Sequence, residues 1–458
     1  MLDQLMKLAR RVGDEVEIYH ERIRSTEVKY SNGMADEIQS SMLSGTALRL
    51  LKDGKVGFSY SRNSSEPERL PEFERLPELE RLPEFERLIK GAVASLAAGV
   101  DGPASFSADS QVTTLDTWDP AIETVTTEML ADECHRASES LACRVGGFGG
   151  GTVGCSMSSN IHELRILTSG GADLRSRQGF VTGTPSLAYP GTGAILFRSE
   201  AAKGFHPISD GSLDFIADVH QCSQSQVSVP TGRVKVLFMP SAMFALTWRL
   251  IVGTSGRSIL RKESPLAGRL DQTVAHPGIT LMDDPWDVRF PGGRSFDDEG
   301  TPTKPLTLIE NGVLKSYYYD RFYARKADQR PTGHGYKSAG GFLGYRLSTP
   351  PQPSLQHLTI KPGRSCFSDL VKMMDRGVIV FGPLGPHSGN IPNGDYSIGL
   401  APGLVVEKGQ IIGRAGDAMV SGNVYDTFKN VIGIGSRVEQ EFMGNYPPVL
   451  FDGVSVSG

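Results

Sequence analysis

The chain has 458 residues, of which 39% are hydrophobic and 22% charged, so it has the makeup of a folded protein of two or three domains and not of a disordered segment. Its net charge is −5, and no dense Lys/Arg run supplies the basic face that nucleic-acid binding requires. Glycine is frequent at 53 residues against 28 prolines, which favours many tight turns and a strand-rich chain.

The first segment, MLDQLMKLARRVGDEVE, places Leu2, Leu5, Met6, Ala9 and Val12 on one helical face. It carries charges throughout and has no apolar signal core. From Val16 to Tyr60 the pattern changes to short apolar runs punctuated by Asn32-Gly33 and Asp53-Gly54, dipeptides that tolerate positive φ. An antiparallel meander packed on helices is expected there.

Four hexads follow, SEPERL-PEFERL-PELERL-PEFERL, and Ser65–Leu88 holds eight Glu and four Arg. Proline at 67, 71, 77 and 83 forbids an uninterrupted helix, and a six-residue period gives no single stripe to bury. The segment 65–88 is read as an insert outside the core, in preference to a docking arm anchored by Phe73, Leu79 and Phe85. Helices are expected near Glu84–Ala98 and, after the break at Asp119-Pro120, near Thr126–Ala142. The glycine cluster Gly146–Gly154 lacks the Gly-Lys-Ser/Thr of a phosphate loop and reads as a turn. Strand-like patterns then run to about residue 189.

Near Pro230–Gly232 the chain begins again, with RVKVLFMP as a strand, SAMFALTWRLIVG as a helix, and many short strands beyond. The reading is therefore α+β and multi-domain: an N-terminal α/β meander domain at 1–105 with the insert at 65–88, a middle α+β domain at 106–229, and a β-rich C-terminal domain at 230–458. The five cysteines are odd in number and form no CxxC, so they read as free thiols in a reducing compartment. Val236–Trp248 is apolar but too short to span a bilayer. A cytoplasmic location without membrane contact is expected.

The C-terminal unit contains FDDEGTPT, ENGVLKSY, PTGHGYKS, HLTIKPG, NGDYSIGLAPGLVVEKGQI and AGDAMVSGNVYDTFKNVIGIG in that order. Together with TSGGADLRSRQG earlier in the chain, this ordered set strongly resembles the TldD/PmbA family. The resemblance implies one of two branches. In the TldD branch a HExxxH helix near the start of the third unit supplies two zinc-ligand histidines and a glutamate, and a cysteine near the C-terminus resembles the third ligand. Imidazole and thiolate hold zinc, and the carboxylate can serve as base for bound water. Here the corresponding helix reads AMFALTWRLIVG, with neither His nor Glu, and the last 22 residues contain no Cys. The chain therefore resembles the TldE/PmbA branch, which implies a subunit without zinc or other cofactor. Its implied partner is a TldD-like zinc subunit in a heterodimer that cleaves small or unfolded peptides. The alternative is a homodimeric binding protein of the gyrase-modulator type, without direct contact to nucleic acid.

Two further groups are candidate site residues. Asp283, Asp284, Asp297, Asp298 and Glu299 form a dense acidic set with His276 nearby in sequence. They could offer oxygen ligands to a hard cation, but the regular calcium-loop spacing is missing, and a turn-shaping role is preferred. The segment Asn390–Gly403 invites two readings. In one, Asn393 and Gly394 turn the chain sharply, so that Asp395, Tyr396 and Ser397 line a cavity shared with substrate or partner. In the other it is a plain hairpin with Tyr396 in the core.

Overall fold

The computed structural model describes residues 2–64, 82–148, 151–190, 193–337, 346–441 and 444–458. The architecture is α+β. Four long strands dominate the N-terminal half: β1 (Glu15–Ser31), β2 (Met34–Lys52), β4 (Thr152–Thr168) and β5 (Asp173–Ala188), with β3 (Lys55–Ser64) beside β2. Asn32-Gly33 (φ +49° and +75°) and Asp53-Gly54 (φ +50° and +72°) turn the meander with both central residues left-handed. Among the described residues these strands form one sheet in the order β3-β2-β1-β4-β5, continued by two short strands on β5. Because β1 pairs with both β2 and β4, the sheet runs through the division drawn at 105/106 from the sequence.

One face of this sheet carries helices at its two ends. The helices Leu2–Ala9 and Leu82–Leu96 cover Val16, Ile18, Leu48, Leu50 and Leu167. At the other end the helix Thr127–Val145 covers Val28, Val153, Cys155 and Met157. That helix starts where Thr126 Oγ1 accepts the Met129 N–H at 3.2 Å and stops at Gly146, left-handed at φ +85°. The opposite face buries Tyr19, Ala47, Leu164, Ile166 and Leu174 together with Phe296 of the C-terminal half.

The hexad reading needs a correction at its end. Pro83–Leu88 belongs to the helix Leu82–Leu96, with Phe85 and Leu88 buried in the core. Proline is tolerated in a first helical turn, where its missing N–H has no partner to lose. The rest of the repeat, residues 65–81, lies outside the described residues, as do Gly149 and Gly150 of the glycine cluster.

In the C-terminal half the strand Gly232–Phe238 is central to a mixed sheet, antiparallel to Val449–Ser457 and parallel to Arg376–Val380. The helix Pro240–Thr254 that follows is apolar on nearly every side and is buried accordingly. No helix among the described residues is long and apolar enough to cross a membrane.

Candidate functional site

The helix Pro240–Thr254 and the loop 386–397 form one unit around Arg249. The Arg249 side chain is fully buried and bonds to main-chain carbonyls. Its Nε donates to Asp395 O (2.8 Å), Nη1 to Pro386 O (2.9 Å) and Ala245 O, and Nη2 to Ser388 O (2.6 Å). Burial lowers the Arg249 pKa from its usual value, opposed by Tyr396 and Asp395. Guanidinium remains charged in such surroundings, and its planar fork suits several carbonyls at once.

The predicted loop residues lie around this clamp. Gly394, at φ +93°, leaves no room for a side chain, because an added Cβ would sit 2.6 Å from the Tyr425 ring. Asp395 Oδ1 accepts from Asn423 Nδ2 at 2.9 Å, and the same amide donates to Asn393 O at 2.9 Å. Strand alternation then separates the remaining two. Tyr396 points inward, buried, with its hydroxyl 2.8 Å from Thr427 Oγ1 and its ring edge-on to Phe238. Ser397 stays half-buried on the other side, paired across the strands with Ser421. Tyr396 is thus a core residue, while Asp395, Ser397 and the exposed Asn393 present polar groups beside the turn.

The hydroxyl groups of Ser241, Thr247 and Thr254 on the helix are engaged within the protein. Thr247 Oγ1 bonds Tyr446 OH (2.9 Å), and Thr254 Oγ1 donates to Leu250 O (2.7 Å). A helix offering Thr247, Trp248 and Arg249 is not a zinc ligand set, since it provides no imidazole, thiolate or carboxylate and places a fixed cation in its midst.

The acidic set is more than a pair of turns. Asp297 does shape one: Oδ1 accepts the N–H groups of Glu299 and Thr301, both at 2.9 Å, and Oδ2 that of Gly335 at 2.8 Å. Asp284 Oδ1 caps the next turn through the Trp286 N–H. The other three reach much further. Asp283 is held by the His357 N–H (2.9 Å) and by His334 Nε2 (3.2 Å). Asp298 pairs with Arg294 at 2.7 Å and accepts the Lys337 N–H at 2.8 Å. Glu299 accepts Arg49 of β2 at 3.1 Å and the Arg321 N–H at 2.7 Å. Arg49 in turn grips Glu17 of β1 at 2.6 and 2.7 Å. The turn-shaping description is corrected to this extent: a buried carboxylate must be paired, and here the partners come from both halves of the chain.

Electrostatics follow the pairing. Burial alone would raise Asp298, but Arg294, Arg346 and the Lys337 N–H outweigh it and hold the carboxyl at about 2. Asp297, desolvated and beside Glu299, is pushed well above its usual value. Asp320 rises to about 8 for the same two reasons. Lys337, buried near Arg49, falls to about 8. With the oxygens of Asp283, Asp297, Asp298 and Glu299 occupied by protein donors, these carboxylates do not form a cation cage, and among the described residues no trio of His, Cys, Asp or Glu is disposed to hold a metal. Sequence reasoning missed Glu17, Arg49, Arg294 and Lys337. Glu17 and Arg49 lie in strand-like runs and Arg294 and Lys337 in glycine-containing loops, and an arginine within the apolar run LRLLK was the one available signal.

Comparison with known proteins agrees with this architecture. Residues 231–458 match the family model for the PmbA/TldA metallopeptidase C-terminal domain, and residues 16–95 that for PmbA/TldA metallopeptidase domain 1. The chain is 26% identical over 435 residues to a metalloprotease of Methanothermobacter thermautotrophicus, covering 90% of this chain and 86% of that one. In fold it is similar to TldE from Thermococcus kodakarensis (TM-score 0.86, 21% identity, 100% of both chains). It is also similar to a Thermotoga maritima protein described as a modulator of a DNA gyrase (TM-score 0.82, 23% identity, 100% of this chain and 99% of that one).

Proposed function

The chain belongs to the PmbA/TldD metallopeptidase family, and we propose that within it the chain serves as the TldE/PmbA-type subunit of a two-component peptidase. A TldD-like partner carries the zinc, and this chain contributes no metal and no catalytic residue of its own. The substrates are small or unfolded peptides. The observation that carries the reading is Arg249: the helix following the Gly232–Phe238 strand holds a buried cation committed to four carbonyls, where a zinc-binding branch needs ligands. A guanidinium so placed would repel a divalent ion. Peptide handling is further supported by the outer edge of β2. Among the described residues, β3 pairs with β2 from Leu43 onward, and Met34 and Ile38 before it are exposed. Such an edge can accept an extended strand by main-chain hydrogen bonds.

A second reading, a homodimeric modulator without a peptidase partner, is favoured by the description attached to the Thermotoga protein. Light scattering on the chain alone and after mixing with an HExxxH-bearing family member separates the two. A 1:1 heterodimer is expected; a homodimer that ignores the added partner would overturn the proposal.

A further inference from the structure

The helices on the outer face of the N-terminal sheet leave a strip of it bare. Strand register places two rows of side chains there. His20 of β1, Arg165 of β4 and Arg175 of β5 form one row, and Arg22, Glu163 and Arg177 the next. With Leu164 and Ser176 these residues line a groove of about 460 Å³. Its lining holds four arginines against one glutamate, in a chain whose net charge is −5.

The guanidinium groups are unequally satisfied. Arg165 takes both oxygens of Asp173, at 2.8 and 2.9 Å. Arg175, directly opposite Arg165 across the strands, reaches that carboxylate only at 3.6 Å, and its side chain is 68% exposed. Like charges in directly opposed positions repel, and these two guanidinium groups share the carboxylate of Asp173, which Arg165 occupies, while Asp3 lies 3.9 Å from Arg165. Arg177 is held in place beforehand: its guanidinium lies 3.6 Å from the Trp118 ring centre and pairs with Glu163 at 2.9 Å and with Glu123.

We propose that this groove is a docking site for an acidic peptide segment, whose carboxylates pair with Arg175 and its neighbours. A guanidinium fork matches a carboxylate in geometry as well as charge. The position of Glu163 favours a peptide over a nucleic acid. It stands between Arg22 and Arg177 in the row, so a continuous phosphate backbone would meet a like charge midway. A peptide with acidic residues two or three apart can straddle it, since an extended chain advances about 3.3 Å per residue. The choice of a peptide rests on the peptide-handling function proposed above. The groove and its charge do not.

Fluorescence anisotropy on the full chain alone, without any zinc-bearing partner, tests the proposal separately from peptidase function. The probes are a fluorescein-labelled octapeptide of alternating Glu and Ser, its Lys-Ser counterpart, and a labelled eight-nucleotide oligothymidylate. Saturable binding of the acidic peptide alone is expected. Arg175→Glu, at an exposed position, is expected to weaken it about tenfold or more, and Glu163→Gln to tighten it several-fold, in variants with unchanged circular dichroism. Absence of saturation up to roughly 1 mM, equal binding of the oligonucleotide, or unchanged affinity in both variants would overturn the assignment.

Discussion

Arg49 and Glu299, 250 residues apart in sequence, meet in the interior with Nη1 and Oε1 separated by 3.1 Å. Both side chains are almost wholly buried, and Glu17 completes the group from the neighbouring strand. Their contact ties the N-terminal sheet to the C-terminal unit by charge, beside the apolar contact of Phe296 with Tyr19, Ile166 and Leu174.

Removing the cation while leaving both carboxylates should therefore be severe. Arg49→Met is expected to cost about 3–5 kcal/mol, the loss typical of a broken buried ion pair. Adding Glu17→Gln and Glu299→Gln to that variant should recover much of it. Urea unfolding of the two variants decides; equal stability of Arg49→Met and wild type would contradict the buried network.

Asp320 gives a pH signature. Its folded pKa of about 8 lies above the ordinary aspartate value of roughly 3.9. The folded state therefore holds a proton that the unfolded chain releases. Stability from this group is complete below about pH 4 and is lost as pH rises to about 8, by up to roughly 1.4 kcal/mol per pH unit. Asp320→Asn keeps the acceptor for the Tyr323 N–H, at 2.6 Å in the native residue, and should flatten that decline. Lys337, lowered to about 8, acts in the opposite sense and restores stability only above that pH. Thermal melts between pH 5 and 8 check this, and an unchanged slope in the variant would contradict it.

The repeat offers a paired test. Deleting Pro71–Leu82 removes two whole hexads and leaves Leu70 before Pro83, which restores the same local sequence. The melting temperature should move by less than about 2 °C. Phe85→Ala, by contrast, empties a buried site between the Leu82–Leu96 helix and the sheet, and should cost about 3–5 kcal/mol.

At the Arg249 clamp, Tyr396→Phe should cost about 1 kcal/mol for the bond to Thr427. Asp395→Ala with Ser397→Ala should leave the fold intact, because both side chains are half-buried at the loop surface. If these residues face substrate or partner, the double variant lowers cleavage by the reconstituted pair. Unchanged cleavage and association would make the loop purely architectural.

The sequence revealed local chemistry better than long-range pairing. Asn32-Gly33 and Asp53-Gly54 announced their hairpins because backbone conformation is set within two residues. The strand before Pro240 and the helix after it were legible for the same reason. Tyr396 could not be assigned, since period-two alternation marks two faces without saying which is inside. The partner of Glu299 was invisible for a different reason: Arg49 lies in another strand far along the chain, and no local pattern encodes a contact at that separation. The arginine rows of the groove likewise exist only once β1, β4 and β5 are in register.

The central claim is that this chain lacks a catalytic metal site and works through a zinc-bearing partner. The most direct measurement is hydrolysis of an unfolded peptide by the purified chain alone, by an HExxxH-bearing family member alone, and by the two mixed, with zinc content determined on each sample. The account predicts negligible zinc and no cleavage for this chain, and cleavage by the mixture that exceeds the partner's own. About one tightly held zinc per chain together with cleavage by this chain alone would contradict it.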